Sequence, residues 1–275
     1  MDPKIVSLVR IATEAGNMIM PYWGSVSFGQ KKDKSIVTYA DELANDYMRR
    51  EAEREFGCYI LTEETEESAN DVERRLSSRL VIVGDPIDGS RDFVQGQKDF
   101  CIMLALVEYR TPVAGVIYEP VSKRALYGDS EEVKMMIEGE EVPLPYLPKV
   151  EWSSARVGDP KNYLGDKYQR LYKIMGIPDQ NISRSGSMGT RISQILRGEI
   201  EMILGYSSHL YEWDYIAGYP LLIARERSVI DRNGNSLLFN QAVPRPQNGI
   251  FVFPSELTEE GLERLKPAFD KIEFR

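Results

Sequence analysis

The chain has 275 residues, of which 42% are hydrophobic and 28% charged, with a formal net charge of −9 and a pI near 5.0. That length buries a substantial core without metal or disulfide staples and fits one large domain or two medium ones. The acidity argues against a nucleic-acid polymer or an anionic membrane as the main partner, and the single histidine, His209, excludes a two-histidine zinc site.

Asp2-Pro3 reads as an N-cap followed by proline in the first helical turn. Ile5, Leu8, Val9, Ala12 and Ile19 then recur at helical spacing, so the first helix is expected to reach about Met20. Gln30–Ser35 is polar and lysine-rich, an expected exposed loop. A second helix is expected from about Ala40 to Phe56, and Tyr59–Leu61 reads as a short strand that ends in the acidic run Glu63–Glu67. Arg79–Val83 reads as a buried strand that Gly84-Asp85-Pro86 should stop, since proline cannot donate to a sheet ladder. Residues 101–107, 113–119 and 124–127 read as further strands, with a turn around Thr111-Pro112 between the first two.

Val142–Val150, with three prolines, is the expected boundary between an N-terminal half (1–145) and a C-terminal half (146–275). Beyond it helices are expected near 161–175 and 187–198, then a strand over Glu201–Gly205 and a helix from about Trp213 to Arg225. Val229-Ile230, Ser236–Phe239 and Ile250–Phe253 read as strands, and a charged helix starts at about Thr258. Alternating helices and strands predict a layered mixed α and β fold. Cys58 and Cys101 read as buried free thiols rather than a disulfide. The sequence shows no secretory signal at its start and no apolar run near the roughly 20 residues of a membrane span, so a cytoplasmic setting is expected.

The chemistry concentrates in Asp85-Pro86-Ile87-Asp88-Gly89-Ser90. Two aspartates three residues apart offer hard oxygen ligands of the kind magnesium recruits, with the Ile87 carbonyl as a further donor. Gly89 allows close backbone approach, and the Gly89 and Ser90 amides could hold a phosphate. Read alone, the segment is equally an Asp-Pro/Asp-Gly surface turn. Glu63-Glu64 and Trp213-Asp214 add acidic sites, although a helix-start aspartate such as Asp214 is commonly only an N-cap and an acidic run only a solvated face.

Taken together, Glu63-Glu64, Asp85–Ser90 and Glu212-Trp213-Asp214-Tyr215-Ile216-Ala217-Gly218 resemble, in order and spacing, the motifs of the inositol monophosphatase superfamily, and Lys34–Asp41 resembles that family's first motif. The resemblance runs from the N-terminal helix to about Gly234. It implies the layered αβαβα sugar-phosphatase fold and an Mg²⁺-dependent phosphomonoesterase acting on a small phosphate ester. It further implies one Mg²⁺ held by Glu63, Asp85 and the Ile87 carbonyl, and a second held by Asp85, Asp88 and Asp214. Glu63 and Ser90, the latter oriented by Asp41, would position and deprotonate the attacking water. Asp88, Gly89, Ser90 and Asp214 would face the substrate, and Lys31, Lys32 and Lys34 would lie on a lid, or simply form a solubilising loop. A homodimer is likewise implied.

Ser90 stands where many relatives carry threonine, which keeps the hydroxyl. Tyr215 and Ile216 replace smaller residues and are expected to narrow the pocket. Inositol-preferring members carry a glutamate seven residues before the Trp-Asp aspartate; here that position is Ser207. Arg91-Asp92-Phe93, Lys98-Asp99-Phe100 and Gly115–Pro120 resemble instead the 3'(2'),5'-bisphosphate nucleotidase branch. Arg191 falls near a lysine those relatives present to substrate, and an arginine can grip a second phosphate with paired hydrogen bonds; it also fits a surface helical residue. The substrate reading leans to 3'-phosphoadenosine 5'-phosphate (PAP), with an inositol phosphate or fructose 1,6-bisphosphate as the alternative. A non-catalytic metal-binding scaffold is the alternative from another class.

Overall fold

The computed structural model describes residues 2–25, 28–30, 36–161, 166–206 and 209–271. The first half contains α1 (Pro3–Ile19), β1 (Phe28–Gln30), β2 (Ile36–Thr38), α2 (Tyr39–Phe56), β3 (Tyr59–Thr62), α3 (Ala69–Ser77), β4 (Leu80–Asp88) and α4 (Ser90–Val94). It continues with β5 (Cys101–Glu108), β6 (Thr111–Glu119), β7 (Arg124–Gly128), β8 (Val133–Ile137) and β9 (Glu140–Val142). The second half contains β10 (Val157–Pro160), α5 (Asp166–Met175), β11 (Ile182–Ser185), α6 (Met188–Leu196), β12 (Met202–Gly205), α7 (Gly218–Ala224), β13 (Arg227–Ile230), β14 (Ile250–Pro254) and α8 (Thr258–Lys271).

Among the described residues, β3 to β9 form a seven-stranded sheet in sequential order, parallel at β3/β4 and antiparallel elsewhere. A five-stranded mixed sheet has the order β11-β10-β12-β14-β13. Alternation along β5 shows how the layers form. Ile102, Leu104 and Leu106 face α1 and α2, in a core with Leu8, Ile11, Ala44 and Met48. Cys101, Met103, Ala105 and Val107 face the other way, onto Ile192 and Ile195 of α6 and Leu221 and Leu222 of α7. Ile203, Val229 and Val252 of the second sheet join that middle core, while Leu204, Phe251 and Phe253 pack against Leu171 of α5 and Leu265 of α8. Two outer cores and one middle core, which encloses α6 and α7 between the two sheets, thus hold five layers in the αβαβα arrangement. Each fully buried leucine, isoleucine or phenylalanine contributes about 1.5–3 kcal/mol to holding a layer in place.

Several local expectations are corrected. Proline does not end β4 at Gly84; the strand continues to Asp88. Its parallel neighbour β3 stops at the Thr62–Gly84 pair, so no partner on that side asks Pro86 for an N–H, and a bulge disrupts the β5 side between Asp85 and Asp88. The β5–β6 turn is Tyr109-Arg110, both at positive φ (48° and 64°), as a two-residue hairpin loop requires; Thr111 and Pro112 already pair with β5. Trp213–Arg225 is not one helix but a 3₁₀ turn at Glu212–Asp214 followed by α7, because Pro220 cannot donate back along a continuous helix. Ser236–Phe239 makes a single bridge, Ile230–Ser236, rather than a strand. Both cysteines are free thiols, Cys101 buried and Cys58 half-buried. No helix among the described residues is long and apolar enough to cross a membrane.

Candidate active site

The bulge in β4 creates the central geometry of the site. In an unbroken strand, residues 85 and 88 would point to opposite faces. Here Asp85 pairs with Met103 and Asp88 with Cys101, so three steps on β4 match two on β5. Both aspartates therefore point to the middle layer, while Ile87 turns to the opposite core. Asp214 reaches them from the 3₁₀ turn, and carboxylate oxygens of Asp85, Asp88 and Asp214 lie within 4.8 Å of one another. Glu63, just after β3, lines the same cleft with Ile87, Gly89 and Ser90, and the cleft has a volume of about 280 Å³.

Four carboxylates of this region are each fixed by a backbone N–H. Ile87 N donates to Asp85 Oδ1 at 2.9 Å, Gly189 N to Asp88 Oδ2, Tyr211 N to Asp214 Oδ2 at 2.7 Å, and Thr38 N to Asp41 Oδ2 at 2.8 Å. Asp85 is 2% exposed and Asp88 7%. Burial, then the charges of Glu63, Asp88, Asp214 and Asp41, push the Asp85 carboxyl well above the ordinary range. Burial pushes Asp88 up to about 6 against the pull of the Gly189 N–H, Ser187 and Arg191. These are the electrostatics of a site short of positive charge.

Asp41 serves two roles through its two oxygens. Oδ2 completes the box that caps α2, accepting from Thr38 N and from Thr38 Oγ1 at 2.6 Å. Oδ1 accepts from Ser90 Oγ at 3.1 Å, and Ser90 Oγ also lies 3.0 Å from the Ile87 carbonyl oxygen. Burial, with Glu63 nearby, raises Asp41 to about 6. Gly89 opens α4 at φ +98°, and a Cβ there would meet the Asp99 carbonyl at 2.7 Å. A side chain at 89 is thus excluded on both backbone and steric grounds.

Arg191 is 6% exposed and lines the cleft rather than the outer surface of α6. Its Nε donates to the Ser187 carbonyl at 3.1 Å, and no ion pair to it forms among the described residues. Tyr215 and Ile216, expected beside the pocket, are instead buried in the middle core and do not line it. Lys31, Lys32, Lys34 and Ser207 lie outside the described residues.

Sequence reasoning placed a helix near 187–198 but missed that its start belongs to the site. Ser187 caps that helix, accepting from Thr190 N at 3.2 Å, and Met188 and Gly186 line the cleft. A Cβ on Gly189 would meet Cys101 Sγ and Met103 Sδ at 2.5 Å, so glycine is what lets the helix bring its N–H to Asp88. The serine N-cap was a readable signal; its target, across the sheet, was not. Glu212 is also more than a motif letter. Fully buried and raised by that burial to about 7, it accepts Asn240 N at 2.7 Å and Gln241 N at 3.0 Å. Arg75, equally buried, pairs with both oxygens of Glu67 and donates to Asn240 Oδ1 at 2.5 Å. The loops carrying Glu63 and Asp214 are therefore tied to one polar network.

The sequence model of the inositol monophosphatase family matches residues 1–266. The chain is 27% identical over 221 residues to a Thermotoga maritima fructose-1,6-bisphosphatase/inositol-1-monophosphatase, covering 79% of this chain and 80% of the relative. It is 24% identical over 253 residues to the 3'(2'),5'-bisphosphate nucleotidase CysQ of Buchnera aphidicola, covering 85% and 86%. The solved structure of a Thermotoga maritima IMPase superposes with a TM-score of 0.80 at 22% identity, covering 99% of this chain and 100% of that one. The chain belongs to the inositol monophosphatase family and is a phosphoric monoester hydrolase.

Proposed function

We propose that this family member is a Mg²⁺-dependent phosphatase of small bisphosphorylated metabolites, with PAP as the favoured substrate. The donor set fits hard divalent cations: Asp85, Asp88, Asp214, Glu63 and the Ile87 carbonyl are all oxygen ligands, and Asp85 is surrounded mainly by other carboxylates. Bound there, such cations would neutralise phosphate charge and acidify a water molecule for in-line attack. The chain's own residues supply orientation and a proton path. Ser90 Oγ stands between Asp41 and the Ile87 carbonyl, so a proton it takes up has a fixed acceptor in Asp41. Glu63 faces the same space and would share that role.

The observation that carries the substrate reading is Arg191. A nearly buried guanidinium, anchored at Nε and open to the cleft at its other end, is a preset site for a second phosphate. Tyr168 lines the same cleft and adds aromatic surface to it, its hydroxyl donating to the Tyr206 carbonyl at 3.0 Å. Phosphate release from PAP, inositol 1-phosphate and fructose 1,6-bisphosphate, in Mg²⁺ with and without chelator, tests the reading. Arg191→Met is expected to lower kcat/KM by about 10- to 100-fold for the two bisphosphates and far less for inositol 1-phosphate. Preference for inositol 1-phosphate by the wild type would discard Arg191 as a phosphate anchor and keep the mechanism.

A further inference from the structure

Asp92, in α4, lines the cleft, yet it is only 3% exposed. Its surroundings are specific. Gly186 lies against it so closely that any Cβ there would collide with Asp92 Oδ2, and Asp99 forms the other side of the slot. The one lysine nearby, Lys161, is paired with Asp99 instead. Among the described residues the Asp92 carboxylate makes no hydrogen bond and no ion pair, while Lys161 and Arg91 act on it only at longer range. The carboxylate borders the cleft while the rest of the residue is enclosed, so a group bound in the cleft is the donor it is placed to meet.

We propose that Asp92 selects substrates by accepting a hydrogen bond from a hydroxyl or amino group on the alcohol half of the phosphate ester. The inference rests on the phosphatase reading of the site. Asp92, Gly186 and Arg191 line the same cleft as the Asp85–Ser90 motif, so an ester whose phosphate sits at that motif has its alcohol half within reach of them. The ester fills the slot with the donor the protein does not supply. An ester lacking such a donor buries the carboxylate unpaired and is rejected, which is the stronger form of discrimination.

The test compares kcat/KM for inositol 1-phosphate and PAP with that for p-nitrophenyl phosphate, whose alcohol half has no donor. The full chain is assayed in Mg²⁺ as wild type, Asp92→Asn and Asp92→Ala. Asp92→Ala is expected to reduce the ratio of the better natural ester to p-nitrophenyl phosphate by about 10- to 100-fold. Asp92→Asn, which keeps an acceptor oxygen, should reduce it less. Loss on inositol 1-phosphate assigns the donor to a hydroxyl. Loss confined to PAP, and absent for its purine analogue without the exocyclic amine, assigns it to the amino group. Melting in the absence of substrate separates this from a structural role, because both variants should melt at or above the wild-type temperature. An unchanged ratio, or a melting temperature lowered together with activity on all three esters, overturns the proposal and leaves the phosphatase reading intact. Failure of the wild type to hydrolyse any of the three overturns that reading and this one with it.

Discussion

Replacing Asp88 with asparagine separates what the carboxylate does for the reaction from what it costs the fold. Asparagine keeps the shape and an oxygen to accept the Gly189 N–H, but removes the charge. In the cation-free protein Asp88 titrates at about 6 instead of 3.8. A carboxyl raised in this way holds more protons folded than unfolded between those values. Stability of the chelated protein therefore falls as pH rises from about 4 to about 6, and stays at the lower level above. At 1.36 kcal/mol per pH unit the gap is on the order of 3 kcal/mol, shared with the other carboxylates of the cluster. Chelated Asp88→Asn should thus exceed chelated wild type by about 1–3 kcal/mol at pH 7.5. For a chain of this size that is a melting-temperature rise of roughly 2–8 °C, shrinking towards zero near pH 4. Millimolar Mg²⁺ should reverse the order, because the wild type gains from cation binding and the variant gains less. Turnover should fall by at least about 100-fold. Denaturant melts at the two pH values, with and without chelator, measure all of this. A chelated variant less stable than chelated wild type at pH 7.5 would refute the view that the cluster is held together against its own charge.

Three further outcomes follow from packing and charge. Gly189→Ala places a methyl against Cys101 and Met103, so it should cost about 1–3 kcal/mol in urea melts and weaken Mg²⁺ binding measured by calorimetry. Arg75→Ala strands the Glu67 carboxylate and Asn240, and should cost about 3–5 kcal/mol by the same melts. Glu119 is buried, but Arg197, Ser193 and Arg124 hold its carboxyl below the ordinary 4.5. Its stabilising contribution is therefore full above about pH 4.5 and lost as pH falls through the depressed value. Glu119→Gln should cost about 1–3 kcal/mol at pH 7 and progressively less below pH 4.5.

What the sequence disclosed, and what it hid, has a physical pattern. α1 was readable because apolar periodicity and the Asp2 cap agree with the fold at every level, and α2, expected from about Ala40, is capped in addition by Thr38. α3 was not readable, since its apolar stripe is only Ala69, Val72 and Leu76 in a highly charged stretch, and its one buried residue is Arg75. The capping box from Ser68 to Asp71 was its clearest local trace. β10 and β11, Val-Gly-Asp-Pro and Ile-Ser-Arg-Ser, lack strand propensity and owe their state to the sheet around them. The expected strand over Ser236–Phe239 gives way because the buried Glu212 carboxylate takes the next two amides, Asn240 and Gln241, out of any ladder.

The same distinction explains why the motifs were legible while the cleft was not. The acidic residues announce themselves by type and spacing, but their function depends on what holds them. Asp85, Asp88, Asp214 and Asp41 are each fixed by a neutral backbone N–H, and no arginine or lysine pairs with Asp85, Asp88 or Asp41 among the described residues. A salt bridge would orient a carboxylate equally well, but it would also satisfy the charge and compete with any cation. Neutral donors orient without satisfying. They come from a strand bulge, a serine-capped helix, a 3₁₀ turn and a helix cap, all of which are consequences of how the layers meet. An acidic chain can in this way carry out phosphate chemistry, with Asp85 and Asp88 oriented by neutral donors in a cluster that can bind metal while one buried arginine, Arg191, faces the same cleft.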